Sequence, residues 1–570
     1  MEMKDTILEL RKKKAIEVAA GRKAADLVIK NASFVNVFGN KLSHGDIAIS
    51  DGIFVGIGDY KGDREIDAEG KIIVPGFIDA HIHLESSLIA PDEFAAAVVP
   101  HGTVAVVTDP HEMANVMGTQ GIDYMLAVTE NLPIDVFFML PSCVPATPMD
   151  ENGATLNAPD IEPYYNHPRV LGLAEMMDFG GVVSTSPEVI KKIVSAELRQ
   201  KAIDGHAPGL CGNELNAYIA AGIGSDHECS ELEEAIRKLD RGQRIMIREG
   251  TAAHNLDTLL PLLDTEYASR CMFCCDDKHP SDIRSTGHID HIVRRAIRKG
   301  IDPIVAVKAA SFNTAQYFAM DNRGAIAPAY VADFMIIDSF DSFNIEAVYK
   351  NGKAVYDGEK VCPFSAPQIS GELSHAAHNT FYAPELSFAD ISVAQPRAVI
   401  GIVPGELITT DCGSAEDIDV KKDVLKIAVI ERHKNTHHIG VGYIHGYGLR
   451  SGAVATSISH DSHNIIAVGE NDLDICTAVN KVLENKGGIV VANEGKITGE
   501  VVLSVAGIMS DEHIETVIEK LEGAKRAAFA QGVSREIDPF MTLSFMALSV
   551  IPTLRITTRG VIDVASQKIL

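Results

Sequence analysis

The stretch Lys71-Ile-Ile-Val-Pro-Gly76-Phe-Ile-Asp-Ala-His81-Ile-His83 says most about the fold of this chain. Its apolar residues predict a buried strand that follows a Pro-Gly break. Side chains two positions apart on a strand point to the same face, so His81 and His83 would project together. Two neutral imidazoles at this spacing are suitable ligands for a divalent transition metal. The alternative is that both are polar residues at a strand end that only hydrogen-bond to their neighbours.

The composition limits what the chain can be. Its 570 residues exceed what one hydrophobic core supports, so several domains are expected. The formal net charge of −27 disfavours binding to nucleic acid or to an anionic membrane. The N-terminus is charged and lacks the apolar core of a signal peptide, and no stretch is apolar enough to span a bilayer. Nine scattered cysteines suit reduced thiols, so we expect a cytoplasmic protein.

A repeating pattern of strand, loop and helix begins near Gly76. Eight strand candidates can be counted: Phe77–His83, Val104–Thr108, Val136–Leu140, Val170–Ala174, Lys201–His206, Gly222–His227, Arg244–Arg248 and Cys271–Cys275. Eight alternating units fit a closed (β/α)8 barrel of the TIM-like kind better than an open sheet. In such barrels the chemistry lies at the carboxyl ends of the strands.

Short strands with period-two patterning flank this barrel on both sides. We expect residues 1–75 to form an N-terminal helix and the first part of a small β-sandwich, and residues 76–323 to form the catalytic barrel. Residues 324–375 would complete the sandwich, which makes that domain discontinuous. Residues 376–570 alternate strands and helices and would form a C-terminal α+β domain. The predicted fold class is therefore α/β.

Polar side chains cluster where the predicted barrel strands end. They are His81 and His83 on strand one, Glu175 on strand four, His206 on strand five, His227 on strand six and Asp276 on strand eight. Each alone would be an ordinary loop residue, but the set predicts one or two divalent metals in the barrel mouth. Two nearby cations repel each other, so a bridging anion is needed, and Glu175 is in the right place to supply it.

These ligand types predict a reaction class. Metal coordination lowers the pKa of water from 15.7 to about 7 and gives a strong nucleophile at neutral pH. We expect a bridging hydroxide, with Asp276 contacting a metal, accepting the hydroxide proton and delivering it to a leaving group. The predicted reaction is metal-assisted hydrolysis at an electrophilic carbon.

The span from about residue 24 to 360 resembles the amidohydrolase superfamily, whose Pro-Gly-Phe-Ile-Asp-x-His-x-His strand is found at Pro75–His83. The resemblance places metal ligands at His81, His83, His206, His227 and Asp276. Many dinuclear members carry a carboxylated lysine on strand four. This chain has no lysine between Val170 and Met177, and the glutamate there is typical of one branch.

Over nearly its whole length the chain is similar to the bacterial adenine deaminase family. The shared motifs are His81–Ser87, Thr108–Glu112, Glu175, Asp204–Gly209 and Ser225–Glu228. The resemblance implies hydrolytic deamination of adenine to hypoxanthine and ammonia, in purine salvage, with a binuclear centre of Mn²⁺ or Fe²⁺ bridged by glutamate. On this basis catalysis is assigned to Asp276, Glu175 and Glu112, and substrate binding to Glu85, Ser86, His111 and Glu112. For His111 and Glu112 a loop-capping role stays open.

Two other functions remain open at this level. One is a cyclic amidase of the same superfamily, similar to a hydantoinase, and the other is a catalytically silent scaffold. The expected partners are a small-molecule purine and further copies of the chain in a homo-oligomer, with no nucleic acid and no membrane.

Several histidines, cysteines and one arginine allow more than one interpretation. The C-terminal histidines could belong to ordinary turns, to a lid over the barrel or to another metal site; they are His433, His437, His438, His445, His460 and His463. Cys271, Cys274 and Cys275 are expected to pack in the barrel wall rather than bind zinc. Arg248 would contact either the substrate or a carboxylate at the rim.

Overall fold

The computed structural model of the protein describes residues 2–251, 253–393 and 395–570. Its first segment begins with helix α1 (Glu2–Ala19) and continues through strands β1 (Ala25–Asn36), β2 (Lys41–Ser50), β3 (Ile53–Gly58), β4 (Gly62–Asp67) and β5 (Ile72–Pro75). Both faces of β1 to β3 are buried in part: alternate residues belong to the core of the sheet, and their neighbours Val28, Ala48 and Val55 pack with Val18 of α1. β4 is absent from the prediction because its residues are charged and mostly exposed.

The next segment contains the eight predicted barrel strands. They are β6 (Phe77–Ile82), β7 (Thr103–Thr108), β8 (Asp135–Leu140), β9 (Val170–Met176), β10 (Ala202–Gly205), β11 (Ser225–Asp226), β12 (Arg244–Arg248) and β13 (Cys271–Cys274). Adjacent strands are parallel from β6 to β10 and from β11 to β13. The amide of Gly224 donates to the Ile203 carbonyl at 2.9 Å, and the amide of Asp276 donates to the His81 carbonyl at 2.9 Å. These bonds close the sheet, so the predicted (β/α)8 fold is confirmed.

Helices connect and surround these strands. They are α2 (Pro91–Val98), α3 (His111–Met117), α4 (Thr119–Val128), α5 (Ala158–Ile161), α6 (Phe179–Val183), α7 (Pro187–Glu197), α8 (Gly212–Ala220), α9 (Leu232–Leu239), α10 (Leu256–Leu259), α11 (Pro280–Thr286), α12 (Ile289–Arg298), α13 (Pro303–Ala309) and α14 (Phe312–Tyr317). Several begin at the signals that the sequence offers: Asp302, for example, caps α13 by accepting from the amides of Ile304 and Val305.

Three strands after the barrel return to the first sheet: β14 (Phe334–Ile337), β15 (Ile345–Lys350) and β16 (Lys353–Tyr356). The strand order is β16-β15-β14-β5-β1-β2-β3, with β4 paired to β1. β14 and β5 are antiparallel neighbours, so residues before and after the barrel share one sheet. Aromatic packing supports this union, with Phe54 and Phe334 ring centroids 5.8 Å apart.

The C-terminal segment is a mixed α+β unit. It contains α15 (Gly371–Ala377), β17 (Arg397–Ile402), β18 (Thr409–Ala415), β19 (Val424–Ile430), β20 (Ile439–His445), β21 (Ala453–Thr456), β22 (Ile465–Gly469), α16 (Asp472–Glu484), β23 (Gly488–Asn493), β24 (Lys496–Val502), α17 (Ile514–Ala530), α18 (Pro539–Phe545), β25 (Leu554–Thr557), β26 (Gly560–Asp563) and β27 (Lys568–Ile569). Eight strands form one sheet, in the order β18-β17-β20-β19-β22-β21-β23-β24, and β25 to β27 form a small antiparallel ribbon.

This C-terminal unit packs directly on the barrel. The amide of Ser510 donates to the Leu88 carbonyl at 2.9 Å, and the side chain of Asn464 donates to the Glu151 carbonyl at 2.8 Å. One continuous cluster of buried apolar residues includes side chains of both units. The loop after β21 and the end of α18 consequently lie over the carboxyl ends of the barrel strands. Within the described ranges, no helix has the length and apolar character needed to cross a membrane.

Candidate metal centre and active site

Six side chains from five barrel strands converge at the carboxyl end of the barrel. His81 lies on β6 with His83 just beyond it, and Glu175 lies on β9. His206 directly follows β10, His227 directly follows β11, and Asp276 is the second residue after β13. All six are buried. These are the residues that the sequence predicts as metal ligands, and the fold brings every one of them to the same place.

Glu175 occupies the middle of this group. Its Oε1 lies 3.3 Å from Nε2 of His83, and its Oε2 lies 2.8 Å from Nδ1 of His206 and 3.1 Å from Nε2 of His227. The two oxygens of one carboxylate therefore face imidazoles from opposite sides of the barrel mouth. This is the arrangement that a carboxylate bridging two cations requires.

Asp276 completes one side of the group. Its Oδ1 lies 3.4 Å from Nε2 of His81 and 3.3 Å from Nε2 of His83. Nε2 of His81 is buried and has no hydrogen-bond partner among the described residues. Ligands at about 2.0–2.2 Å from one ion lie about 3–3.5 Å apart, so these separations fit donors that share a cation. Imidazole and carboxylate donors suit a divalent transition metal.

The ionisation of the carboxylates suits this role. Burial opposes ionisation of Glu175, but hydrogen bonds from His206, His227 and His83 outweigh it and hold the pKa of that carboxyl well below its usual range. For Asp276, burial is again outweighed, chiefly by the nearby Arg248, and the pKa lies well below its usual range. Both groups are therefore anionic at neutral pH, the state in which carboxylates bind cations.

Arg248 forms the outer support of the site. At the end of β12 it donates to Oδ2 of Asp276 and forms a bidentate ion pair with Glu228. Burial is outweighed by these two carboxylates, which raise the pKa of the Arg248 guanidinium above its ordinary value. The sequence left open whether Arg248 contacts the substrate or a carboxylate at the rim. In the structure it contacts carboxylates. Glu228, which the sequence analysis did not assign a role, is held beside His227 at 3.4 Å.

The predicted substrate-binding residues lie beside the metal ligands. His111 and Glu112 line the cavity that contains Glu175 and Asp276, and Glu85 and Ser86 line an adjoining cavity that shares Glu112. Ser86, in a short 3-10 turn after β6, donates to Oε1 of Glu112 at 3.1 Å and also to Asp277. Oε1 of Glu85 accepts from the backbone amide of Met113 at 3.3 Å. Burial and then the nearby Glu85 raise the pKa of Glu112 well above its usual value.

His111 lies closer to the metal ligands than its predicted role requires. Its Nδ1 is 2.8 Å from Oδ2 of Asp109 and 3.5 Å from Oε1 of Glu175. With His83, these three residues form a second compact set of possible ligand atoms. His111 therefore borders both the metal centre and the substrate wall.

The C-terminal unit supplies a roof that the sequence analysis did not predict residue by residue. The cavity is closed by His460, Asp461, Leu407, Phe545, Leu548 and Ile551. The rings of His460 and Phe545 are stacked, with centroids 4.6 Å apart. The histidine-rich turn at Ser459–His463 hinted at this contact, whereas the apolar residues carried no recognisable signal.

Burial distinguishes the C-terminal histidines from one another and places the barrel cysteines in the protein interior. His437, His438 and His445 are exposed, while His433, His460 and His463 are buried. Cys271, Cys274 and Cys275 are buried in the barrel wall, and burial raises the pKa of Cys271 to about 12. All nine cysteines are free thiols.

Comparison with known proteins agrees with this geometry. Residues 72–355 match the amidohydrolase family, and residues 407–568 match the adenine deaminase C-terminal domain. Fold and site thus define a metal-dependent hydrolase of the amidohydrolase class.

Relatives that align over nearly the full length of the chain identify its family within this class. An adenine deaminase 2 from Carboxydothermus hydrogenoformans is 44% identical over 98% of this chain and 99% of its own length. An adenine deaminase from Desulfatibacillum aliphaticivorans is 44% identical over 96% of this chain and 97% of its own. The chain belongs to the adenine deaminase family. Among solved structures, a β-aspartyl dipeptidase from Fervidobacterium islandicum AW-1 is similar with a TM-score of 0.45 and 16% identity, over 60% of this chain and 99% of that one.

Proposed function

We propose that this chain catalyses the hydrolytic deamination of adenine to hypoxanthine and ammonia with two divalent metal ions, Mn²⁺ or Fe²⁺. The observation that carries the proposal is the position of Glu175, whose two oxygens face His83 on one side and both His206 and His227 on the other. One ion would be held by His81, His83 and Asp276, and the other by His206 and His227, with Glu175 shared. Bound divalent metals supply Lewis acidity that lowers the pKa of water from 15.7 to about 7.

Asp276 is placed to move the protons. Its carboxylate is anionic and borders the ligand imidazoles, so it accepts the proton of the attacking water. Arg248, which donates to Oδ2, disfavours the protonated form. A proton on Asp276 is therefore released readily, and it passes to the amino nitrogen that leaves carbon 6 as ammonia.

The opposite wall is suited to hold the purine. Ser86, Glu112 and Asp277 are joined by hydrogen bonds at the cavity edge, where their oxygens can bond the edge of the purine. A hydrogen bond donated from this wall to a ring nitrogen would withdraw electrons from carbon 6 and favour addition of water there. Phe545, Leu548 and Ile551 cover the cavity and exclude bulk water.

The test is an assay of ammonia release. Protein loaded with Mn²⁺ or Fe²⁺ is offered adenine, adenosine, guanine and hydantoin in parallel. We expect ammonia from adenine alone, the base for which the full-length relatives are named. Ammonia from adenosine but not adenine would reject the free base as substrate. Opening of the hydantoin ring releases no ammonia and is followed instead as formation of the ureido acid; it would favour the cyclic amidase. Purification without stoichiometric metal would favour the silent scaffold.

The proposal extends to cell location and assembly. We propose that the enzyme works in the cytoplasm on a small-molecule purine. We expect no nucleic acid or membrane partner, because the formal net charge of −27 disfavours contact with phosphate backbones and anionic lipids. We also propose a homo-oligomer, which sedimentation of the purified chain tests directly.

A further inference from the structure

A second group of metal-ligand types lies outside the six residues assigned above. Glu112, from the barrel, and His460 and His463, from the C-terminal unit, offer ligand atoms that all lie within 4.8 Å of one another. Nδ1 of His460 is 3.5 Å from Oε1 of Glu112, and Nε2 of His463 is 3.7 Å from Oε2 of Glu112. All three side chains are buried.

The hydrogen bonding of this group is incomplete. His463 is fully buried, and among the described residues neither of its ring nitrogens has a hydrogen-bond partner. Oε2 of Glu112, which faces His463, also lacks one. Buried polar atoms are nearly always paired, and leaving one unpaired costs about 1–3 kcal/mol. Nε2 of His463 and Oε2 of Glu112 face each other across 3.7 Å without a hydrogen-bond partner, which indicates that something else lies between them.

The charge around this space indicates a cation. Three carboxylates lie close together here. Glu112 and Asp277 both accept from the Ser86 hydroxyl, and Glu85 is near enough to Glu112 to raise its pKa. Within residues 2–251, 253–393 and 395–570, no lysine or arginine nitrogen comes within 4.0 Å of any of these three carboxylates, and the ion-pair partners of Glu112 are histidines. A positive ion beside Glu112 would supply the missing charge.

The geometry repeats that of the first centre. There the imidazole nitrogens and carboxylate oxygens are 2.8–3.4 Å apart, and here they are 3.5–3.7 Å apart. Two imidazoles and one carboxylate with free positions for water suit a borderline divalent transition metal.

We propose that Glu112, His460 and His463 form a third divalent-metal site, separate from the catalytic pair, that joins the C-terminal unit to the barrel. The ion binds Glu112 through Oε2, while Oε1 keeps its hydrogen bond from Ser86. The site thereby holds the substrate wall against the roof. This inference rests on the proposed function only for the name of that wall; the ligands themselves are independent of the substrate.

Zinc is the probe, because it absorbs X-rays at a distinctive edge and does not change oxidation state. Crystals of the full chain are equilibrated with Zn²⁺, and anomalous difference maps are calculated on both sides of the zinc edge. We expect a peak between Glu112, His460 and His463 in addition to density at the catalytic centre. Peaks at the catalytic centre with none among these three residues would overturn the proposal. This measurement needs no variant.

A matched pair of variants measures the same site in solution. Protein stripped with a chelator and dialysed against Zn²⁺ is analysed for metal per chain. His463→Gln should bind one equivalent less than the wild type. His433→Gln is the control, since His433 is also buried in this unit but already bonds the Ser462 carbonyl at 2.7 Å; it should match the wild type. Equal zinc content in the wild type and His463→Gln would contradict the third site.

The outcomes keep the two proposals apart. If the wild type binds a third zinc ion but does not deaminate adenine when loaded with Mn²⁺ or Fe²⁺, this site stands and the proposed function is rejected. If the protein loaded with Mn²⁺ or Fe²⁺ deaminates adenine but the wild type binds only two zinc ions, the proposed function stands and this site is rejected.

Discussion

At the scale of single residues, Glu175 lies between His83 on one side and His206 and His227 on the other, where we propose that it bridges two metal ions. Glu175→Gln replaces one anionic oxygen with an amide that cannot bridge two cations. We expect loss of at least one metal equivalent and a fall in kcat/KM of about 100-fold or more, larger than is usual for residues outside the ligand set. Metal analysis and the ammonia assay measure both. Glu214→Gln, on the exposed face of α8, is the control. Full metal occupancy with near-normal rates in Glu175→Gln would exclude the bridging role.

Arg248 acts through Asp276 and is a positioning residue. Arg248→Met leaves Glu228 and Asp276 buried without their shared cation, which destabilises a fold by about 3–5 kcal/mol. We expect kcat/KM to fall about 10–100-fold and the acid limb of the pH–rate profile to move to higher pH, because Asp276 holds its proton more tightly. Arg248→Lys should restore part of both effects. An unchanged pH profile in Arg248→Met would show that Arg248 does not tune Asp276.

His433 gives a prediction about pH and stability. Burial and the adjacent Arg432 lower the pKa of His433 well below its ordinary value of about 6.5. Below pH 6.5 the His433 side chain is protonated in the unfolded chain but stays neutral in the folded chain. The contribution of His433 to the free energy of unfolding is therefore fully present above pH 6.5 and is lost as the pH falls below it. The loss is about 1.4 kcal/mol per pH unit. In His433→Gln, urea unfolding at pH 7.5, 6.5 and 5.5 should show a shallower decline; the same decline in both proteins would contradict this account.

At the scale of elements, the close approach of neighbouring barrel strands positions the ligands. A methyl group added at Gly172 on β9 would lie 2.2 Å from the Ala202 carbonyl oxygen on β10. Gly172→Ala should therefore push apart the two strands that carry Glu175 and His206. We expect a stability loss of about 1–3 kcal/mol and reduced metal affinity.

The control for Gly172→Ala is Gly371→Ala at the start of α15, where an added methyl group meets open space. This variant should be neutral or slightly more stable, because alanine is the better helix former. Thermal unfolding and metal titration of the two variants side by side give the comparison. Equal behaviour would show that β9 and β10 can separate without disturbing the site.

Elements with one strong periodicity were predictable from sequence. All eight barrel strands could be predicted, because buried parallel strands are continuous apolar runs bounded by turns. The elements that were missed have mixed signals. β18 (Thr409–Ala415) is polar and largely exposed, and β20 (Ile439–His445) contains Gly440 and Gly442, which lower strand propensity. Their pairing in the sheet is decided by neighbours that are distant in sequence.

At the scale of the whole molecule, bound metal should contribute to stability as well as to rate. The ligands come from β6, β9, β10, β11 and β13, so ions at the barrel mouth bind the folded chain and not the unfolded one. At a free metal concentration about 100-fold above Kd, this stabilises the fold by about 2.7 kcal/mol.

Chelation of the purified enzyme should therefore abolish deamination and lower Tm together, and Mn²⁺ or Fe²⁺ should restore both. Calorimetry with and without added metal, paired with the ammonia assay, provides the measurement. Mg²⁺, which prefers oxygen ligands, is the control ion and should restore neither. Full activity after exhaustive chelation would contradict metal-dependent hydrolysis.

The sequence predicted the site residues that lie at the carboxyl ends of barrel strands. His81, His83, Glu175, His206, His227 and Asp276 all lie there, since strand ends meet at one edge of a barrel. Phe545, Leu548 and Ile551 do not, because they reach the cavity only through the docking of a separate unit. That docking depends on the fit of two folded surfaces, which has no local pattern in the sequence.

The pairing of β5 with β14 has a consequence for the architecture of the chain. The peptide enters and leaves the barrel at adjacent points of one sheet, so the whole catalytic portion is an insertion with neighbouring ends. A short turn between Pro75 and Phe334 would in geometric terms close the host sheet without it. Recombination could therefore exchange such a cassette between chains as one piece, leaving its host intact.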